Sequence, residues 1–171
     1  MRVALVLPLL LVSVLVCGCL FSSQVVVGPT VDERGDVGGM VRVRVTAGLS
    51  RVSVMATGEI SGRQASPHGL FATGVGLFSQ VELPSDYVLI GNLRMVVIGS
   101  NDLGRGAGYS FGGALGFARY LRTKDEIIPK HLWQGWAVGA ELACDRQFGL
   151  GSQDMVLAPG FVFEYDNLTT D

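Results

Sequence analysis

Charge is what this sequence has least of. Asp, Glu, Lys and Arg make up 16% of its 171 residues, against about 25% in an ordinary soluble domain. The net charge is −2, which leaves no broad field to attract nucleic acid or an acidic lipid surface. Histidine occurs only twice. His68 and His131 have no carboxylate or Cys at ligand spacing, so no metal centre and no cofactor site is expected, and both are read as solvated loop residues. No helix-length amphipathic run is present, which argues against a helical or α/β domain. The length is enough for one domain with a real core.

What the chain does have is glycine, 24 residues of it, and an alternation of period two. From Gly106 to Ala118 the even positions carry only Gly, Ser or Ala, and the odd positions carry mostly bulky apolar or aromatic side chains. Period two is the mark of a strand with two different faces. Neither face is charged, whereas a strand of a soluble sheet usually turns one polar face to water. A narrow barrel in a membrane needs a greasy outside and small residues inside, and this stretch suits both.

The same rhythm recurs at intervals too short for intervening helices. Strands are expected near 39–49, 52–62, 70–83, 87–99, 106–121, 133–145 and 155–165, with an eighth near 24–31. Turn-like breaks fall at 63–68, 84–86, 100–104 and 149–152. The longest break, 123–131, has room for a short helical turn. Val41, Val43, Val45, Ala47 and Leu49 oppose Arg42, Arg44 and Thr46. Phe71, Val75, Leu77 and Val81 oppose Ala72, Gly74, Gly76 and Gln80. Trp136, Val138, Ala140 and Leu142 oppose Gly135, Ala137, Gly139, Glu141 and Asp145. Tyr87, Tyr109, Tyr120, Trp133, Trp136 and Tyr165 lie toward strand ends, where interfacial aromatic belts belong. The expected fold is all-β: an antiparallel up-and-down barrel of about eight strands.

The N-terminus has one positive charge at Arg2, an apolar run from Val3 to Val16 and then Cys17-Gly18-Cys19. The run is short of the roughly 20 apolar residues of a spanning helix and reads as a secretory signal. Val16-Cys17-Gly18-Cys19 resembles the bacterial lipoprotein signal, which implies cleavage after Gly18 and lipid on Cys19. Cys144 is then a lone apolar-type thiol with no disulfide partner. The expected organisation is a signal peptide at 1–18, a lipid-anchored tether at 19–36 that could contain a first strand, and a barrel domain at 37–171.

From about Val37 to Tyr165 the alternation resembles the small outer-membrane barrels of Gram-negative-type bacteria, the OmpA-like and opacity-like families. The resemblance is one of pattern. It implies export to the outer membrane, with the lipid bilayer as partner, a surface or periplasmic protein as a second partner, and no nucleic acid. Those families commonly end on Phe. This sequence ends Asn167-Leu168-Thr169-Thr170-Asp171.

Two constellations bear on chemistry. Gly108-Tyr109-Ser110-Phe111-Gly112 matches the G-x-S-x-G of a serine esterase. That reading needs a buried strand before the serine, a helix after it, and an acid and His such as Asp125 and His131 downstream. The context is wrong, so Ser110 is expected to be structural and no catalytic residue is assigned. The charges Arg42, Arg44, Glu59, Arg94, Glu141, Asp145 and Glu164 fall on the face carrying small residues. A narrow eight-strand lumen is filled by side chains, and unpaired charge away from water is costly. These seven are therefore expected to pair across the lumen. Two functions fit: a structural or surface-interaction barrel in the outer membrane, or a tethered, lipocalin-like carrier in the periplasm. They differ in which face looks outward. A carrier would turn Phe71, Leu115, Phe117, Trp136 and Phe161 into its cavity.

Overall fold

The computed structural model describes residues 20–48, 52–63, 66–100, 107–121, 132–149 and 154–169. Among these residues the regular elements are eight strands: β1 Leu20–Asp32, β2 Val37–Gly48, β3 Val52–Arg63, β4 Ser66–Leu83, β5 Tyr87–Ser100, β6 Gly108–Tyr120, β7 Leu132–Phe148 and β8 Asp154–Thr169. Each pairs antiparallel with the next. β8 returns to β1, so the sheet closes into a barrel.

The register sets the barrel's shape. Starting at Phe21, directly opposed residues run through Ala47, Val54, Leu77, Leu93, Gly113, Cys144 and Leu157, and reach β1 again at Val31. The circuit comes back ten residues further along the strand. Ten rises of about 3.3 Å against eight strand spacings of about 4.8 Å tilt the strands by about 40°. A barrel of eight strands leaves an interior just wide enough for side chains.

Period two decides which residues enter that interior. On β5, Val88, Ile90, Asn92, Arg94, Val96 and Ile98 are buried, while Leu89, Leu93, Met95 and Val97 are exposed. On β6, Ser110, Ala114 and Ala118 are inside and Tyr109, Phe111, Leu115 and Phe117 outside. The tight turns use residues suited to them. Between β1 and β2, Asp32 Oδ1 accepts the backbone N–H groups of Arg34 and Asp36, each at 2.9 Å. Gly35 supplies the positive φ of that turn, +83°, at little steric cost. Between β4 and β5, Ser85 and Asp86 both take positive φ.

The eighth strand expected near 24–31 is β1, which runs from Leu20 to Asp32 and forms one side of the closing seam. The structure departs from the sequence reading in two places. Ser66-Pro67-His68 lies at the start of β4, not in a loop, because the β3–β4 ladder continues past the apolar alternation to the Arg63↔Ser66 pair. Tyr120 faces inward and is buried. Its hydroxyl accepts a bond from Gln80 Nε2 at 2.8 Å, so it belongs to the lumen and not to an outer belt. The signal segment, Cys19, Asp125, His131 and the side chain of Trp133 lie outside the described residues.

Candidate functional site in the barrel lumen

Alternation turns Arg42 and Arg44 of β2 inward on one side of the barrel. Glu59 follows from β3, Asn92 and Arg94 from β5, and Glu141 and Asp145 from β7. β1 contributes Ser22 and Gln24, and β8 contributes Glu164. Arg42, Arg44 and Arg94 are almost fully removed from solvent, at 1%, 0% and 3% exposure. An isolated charge at such depth would be prohibitive, so the bonding of each group decides whether the arrangement is stable.

Arg42 is the hub. Its Nε and Nη2 bond Glu59 at 2.7 and 2.6 Å, its Nη1 reaches Glu141 at 3.3 Å, and its Nη2 reaches Asp145 at 3.3 Å. Arg44 grips Glu141 with both terminal nitrogens, at 2.6 and 2.5 Å. Arg94 bonds Asp145 and donates to Asn92 Oδ1 at 2.9 Å. A guanidinium is suited to this role because its planar fork can serve two or three acceptors at once.

Glu164 joins the network through Gln24. It accepts Ser22 Oγ at 2.9 Å and Gln24 Nε2 at 2.6 Å. Gln24 Oε1 accepts Arg44 at 3.1 Å. The seven charged residues singled out from sequence thus belong to one network, with Gln24 bridging Glu164 to Arg44. Sequence reasoning missed Gln24 and Asn92. Their inward parity was readable, but nothing in the sequence put them next to Arg44 and Arg94.

Room for three guanidinium groups comes from small residues on the facing strands. An added Cβ at Gly112 would run into the Asp145 side chain and the Cys144 carbonyl. At Gly116 it would lie 2.7 Å from both the Ala140 carbonyl oxygen and Glu141 Cβ. Apolar side chains flank the charged layer. Phe78, Val88 and Ile90 lie toward the end that holds Leu20 and Thr169, and Met40, Ile98 and Val156 lie toward the other. Ser110 lies on this inner wall near the start of β6, 2% exposed, within an uninterrupted strand. It is not on a strand-to-helix elbow, so the esterase geometry is absent at this motif.

The outer wall has the opposite character. Phe71, Leu115, Phe117, Trp136 and Phe161 are 54–70% exposed. This overturns the carrier reading, which needs these five in the cavity. Among the strand residues whose side chains are described, only Arg119 and Arg146 put charge on the outside. Arg119 sits over the Tyr87 ring at 5.5 Å, near Trp136 and Tyr165, whose rings are 5.1 Å apart. Arg146 lies near the other end, beside the stacked pair Tyr109 and Phe148.

No protein-family model matches the chain, and no curated protein does. Among solved structures, the fold is similar to the crystal structure of Neisserial surface protein A (NspA). The identity is 10%, with 86% of this chain and 96% of that chain covered and a TM-score of 0.61. A chain from de novo design of transmembrane beta-barrels aligns at 11% identity over 85% of this chain and 94% of its own, with a TM-score of 0.49. The likeness to NspA establishes the eight-strand barrel fold and nothing about activity.

Proposed function

We infer that this protein is an outer-membrane barrel that crosses the bilayer with its outer wall, does no chemistry, and serves as a structural or surface-interaction element. One observation carries this reading: the uncharged band between the two arginine levels. From Tyr109 to Arg119 on β6 is ten residues, which at a 40° tilt spans about 25 Å along the barrel axis. That is about the height of the apolar band of an outer-membrane barrel, and aromatic girdles flank it as such a barrel requires. The lumen is a filled, ion-paired core and not a water pore. Lipid on Cys19 would place a second anchor immediately before β1. The bilayer is the principal partner, and a surface or periplasmic protein is a second.

Single cysteines test the reading in a Cys144→Ser background. Fluorophores on Leu115→Cys and Phe117→Cys are expected to be quenched by lipid-borne quenchers and to resist aqueous maleimide before labelling in detergent. Ala114→Cys is expected to resist both. Free aqueous reaction at positions 115 and 117 in vesicles would rule out a spanning wall. A stable open-channel current in planar bilayers would rule out the closed lumen.

A further inference from the structure

The closing seam is built differently from the others. β1 and β8 pair without a break from Phe21↔Asn167 to Val27↔Phe161, and the next pairing is Val31↔Leu157. The register is the same on both sides of the gap, so the position at its centre sets Pro29 opposite Pro159. By contrast, β7–β8 is continuous from Leu132↔Thr169 to Gln147↔Asp154, and β5–β6 from Tyr87↔Arg119 to Ile98↔Gly108. The register shift near Ser61 and Arg63 lies at a hairpin end.

The two prolines explain the gap. In an antiparallel ladder, a hydrogen-bonded pair exchanges two N–H···O bonds, and the pairings on either side depend on the same two bonds. Proline has no N–H. Two prolines in one such pair remove both bonds together, so the pairings 28/160, 29/159 and 30/158 are lost as a block. Proline is normally confined to edge strands of a sheet, and β1 and β8 are the two edges that closure brings together.

The break is in hydrogen bonding and not in distance, since an added Cβ at Gly28 would run into the Pro159 carbonyl oxygen. Both prolines face outward, and the inner positions are Gly28, Thr30, Ala158 and Gly160. The polar staple across this seam, Ser22 and Gln24 to Glu164, lies toward the chain-terminus end. The Glu33 N–H to Met155 carbonyl bond and the Arg34–Asp154 pair hold the opposite rim. Between them, the buried side chains of Val26 and Met40 lie against Gly160, Val26 Cγ1 at 2.6 Å and the Met40 methyl at 3.5 Å from where a Cβ would be. Methionine is a flexible filler.

We propose that Pro29 and Pro159 form a lateral window in the barrel wall, closed from inside by Val26 and Met40, and that the β1–β8 seam opens there before any other seam. Amide hydrogen exchange of the folded protein in micelles tests this without assuming a bilayer. The amides of Val27, Val31, Leu157 and Phe161 are expected to exchange at least tenfold faster than those of Met95 and Phe111, which lie about level in the opposite wall. The double variant Pro29→Val/Pro159→Val restores both donors and is expected to remove that difference. In vesicles, with Cys144→Ser, a fluorophore on Met40→Cys is expected to be quenched from lipid in the parent and protected in the double-Val variant. Equal protection of the two walls in the parent overturns the proposal, and that comparison stands even if the variant fails to fold. Exchange as expected with no quenching at position 40 would keep the weak seam and remove the window.

Discussion

Arg44 of β2 and Glu141 of β7 meet across the lumen through two bonds of 2.6 and 2.5 Å, 97 residues apart in the chain. Neither is on a strand adjacent to the other's. This contact ties opposite walls together, and Arg42 adds a second tie to the same carboxylate.

Glu141→Ala removes the acceptor shared by Arg42 and Arg44. Leaving buried guanidinium groups short of a partner is expected to cost about 3–5 kcal/mol, read as a shift in chemical unfolding in micelles. Arg44→Met combined with Glu141→Gln removes the charge from both sides and is expected to cost less than Glu141→Ala alone. Strictly additive losses would show that the two residues are not coupled.

Depth along the outer wall sets the cost of a charge. Leu115, 70% exposed and near the middle of β6, is expected to lose about 2–4 kcal/mol as Leu115→Arg. Trp136 lies in the girdle beside Tyr165, so Trp136→Arg is expected to cost about 0–1 kcal/mol. Folding titrations into vesicles measure both. Equal costs would show that the band is not centred as described.

Inner and outer glycines should respond oppositely to enlargement. Gly116→Leu has no room against Ala140 and Glu141 and is expected to lose at least about 1–3 kcal/mol through overpacking. Gly58 has nothing within 4 Å of an added Cβ, so Gly58→Ala should fold as the parent does. The fraction migrating as the compact form on unheated gels separates the two.

Ser110→Ala is expected to leave stability within about 1 kcal/mol, since it deletes a buried hydroxyl without stranding a partner group. A fluorophosphonate probe should not label Ser110 in the folded parent. Labelling there would revive the hydrolase reading.

Mass spectrometry of the mature N-terminus should find residues 1–18 removed and an acylated Cys19. An unmodified Cys19, or a different cut, would remove the anchor without touching the barrel.

Much of this architecture was legible in the chain because alternation is a local property. Whether Arg42 or Val43 faces inward depends only on parity, and parity in seven clear segments was enough to expect a barrel with charge inside. The Arg42↔Glu59 contact was within reach too, because neighbouring strands of an up-and-down sheet bring such residues opposite each other. Other features could not be read locally. The grip of Arg44 on Glu141 depends on tilt and shear, which arise only when eight strands close with a ten-residue stagger. Tyr120 looked like a belt residue by its place near a strand end, but its parity turns it into the lumen against Gln80. The opposition of Pro29 and Pro159 is decided by the β1–β8 register, between segments that closure alone brings together. The sequence by itself determined which face each side chain takes, because a strand's period is set by backbone stereochemistry. The tertiary structure decided which side chains meet, because that depends on how far each strand is offset from its neighbour around the closed wall.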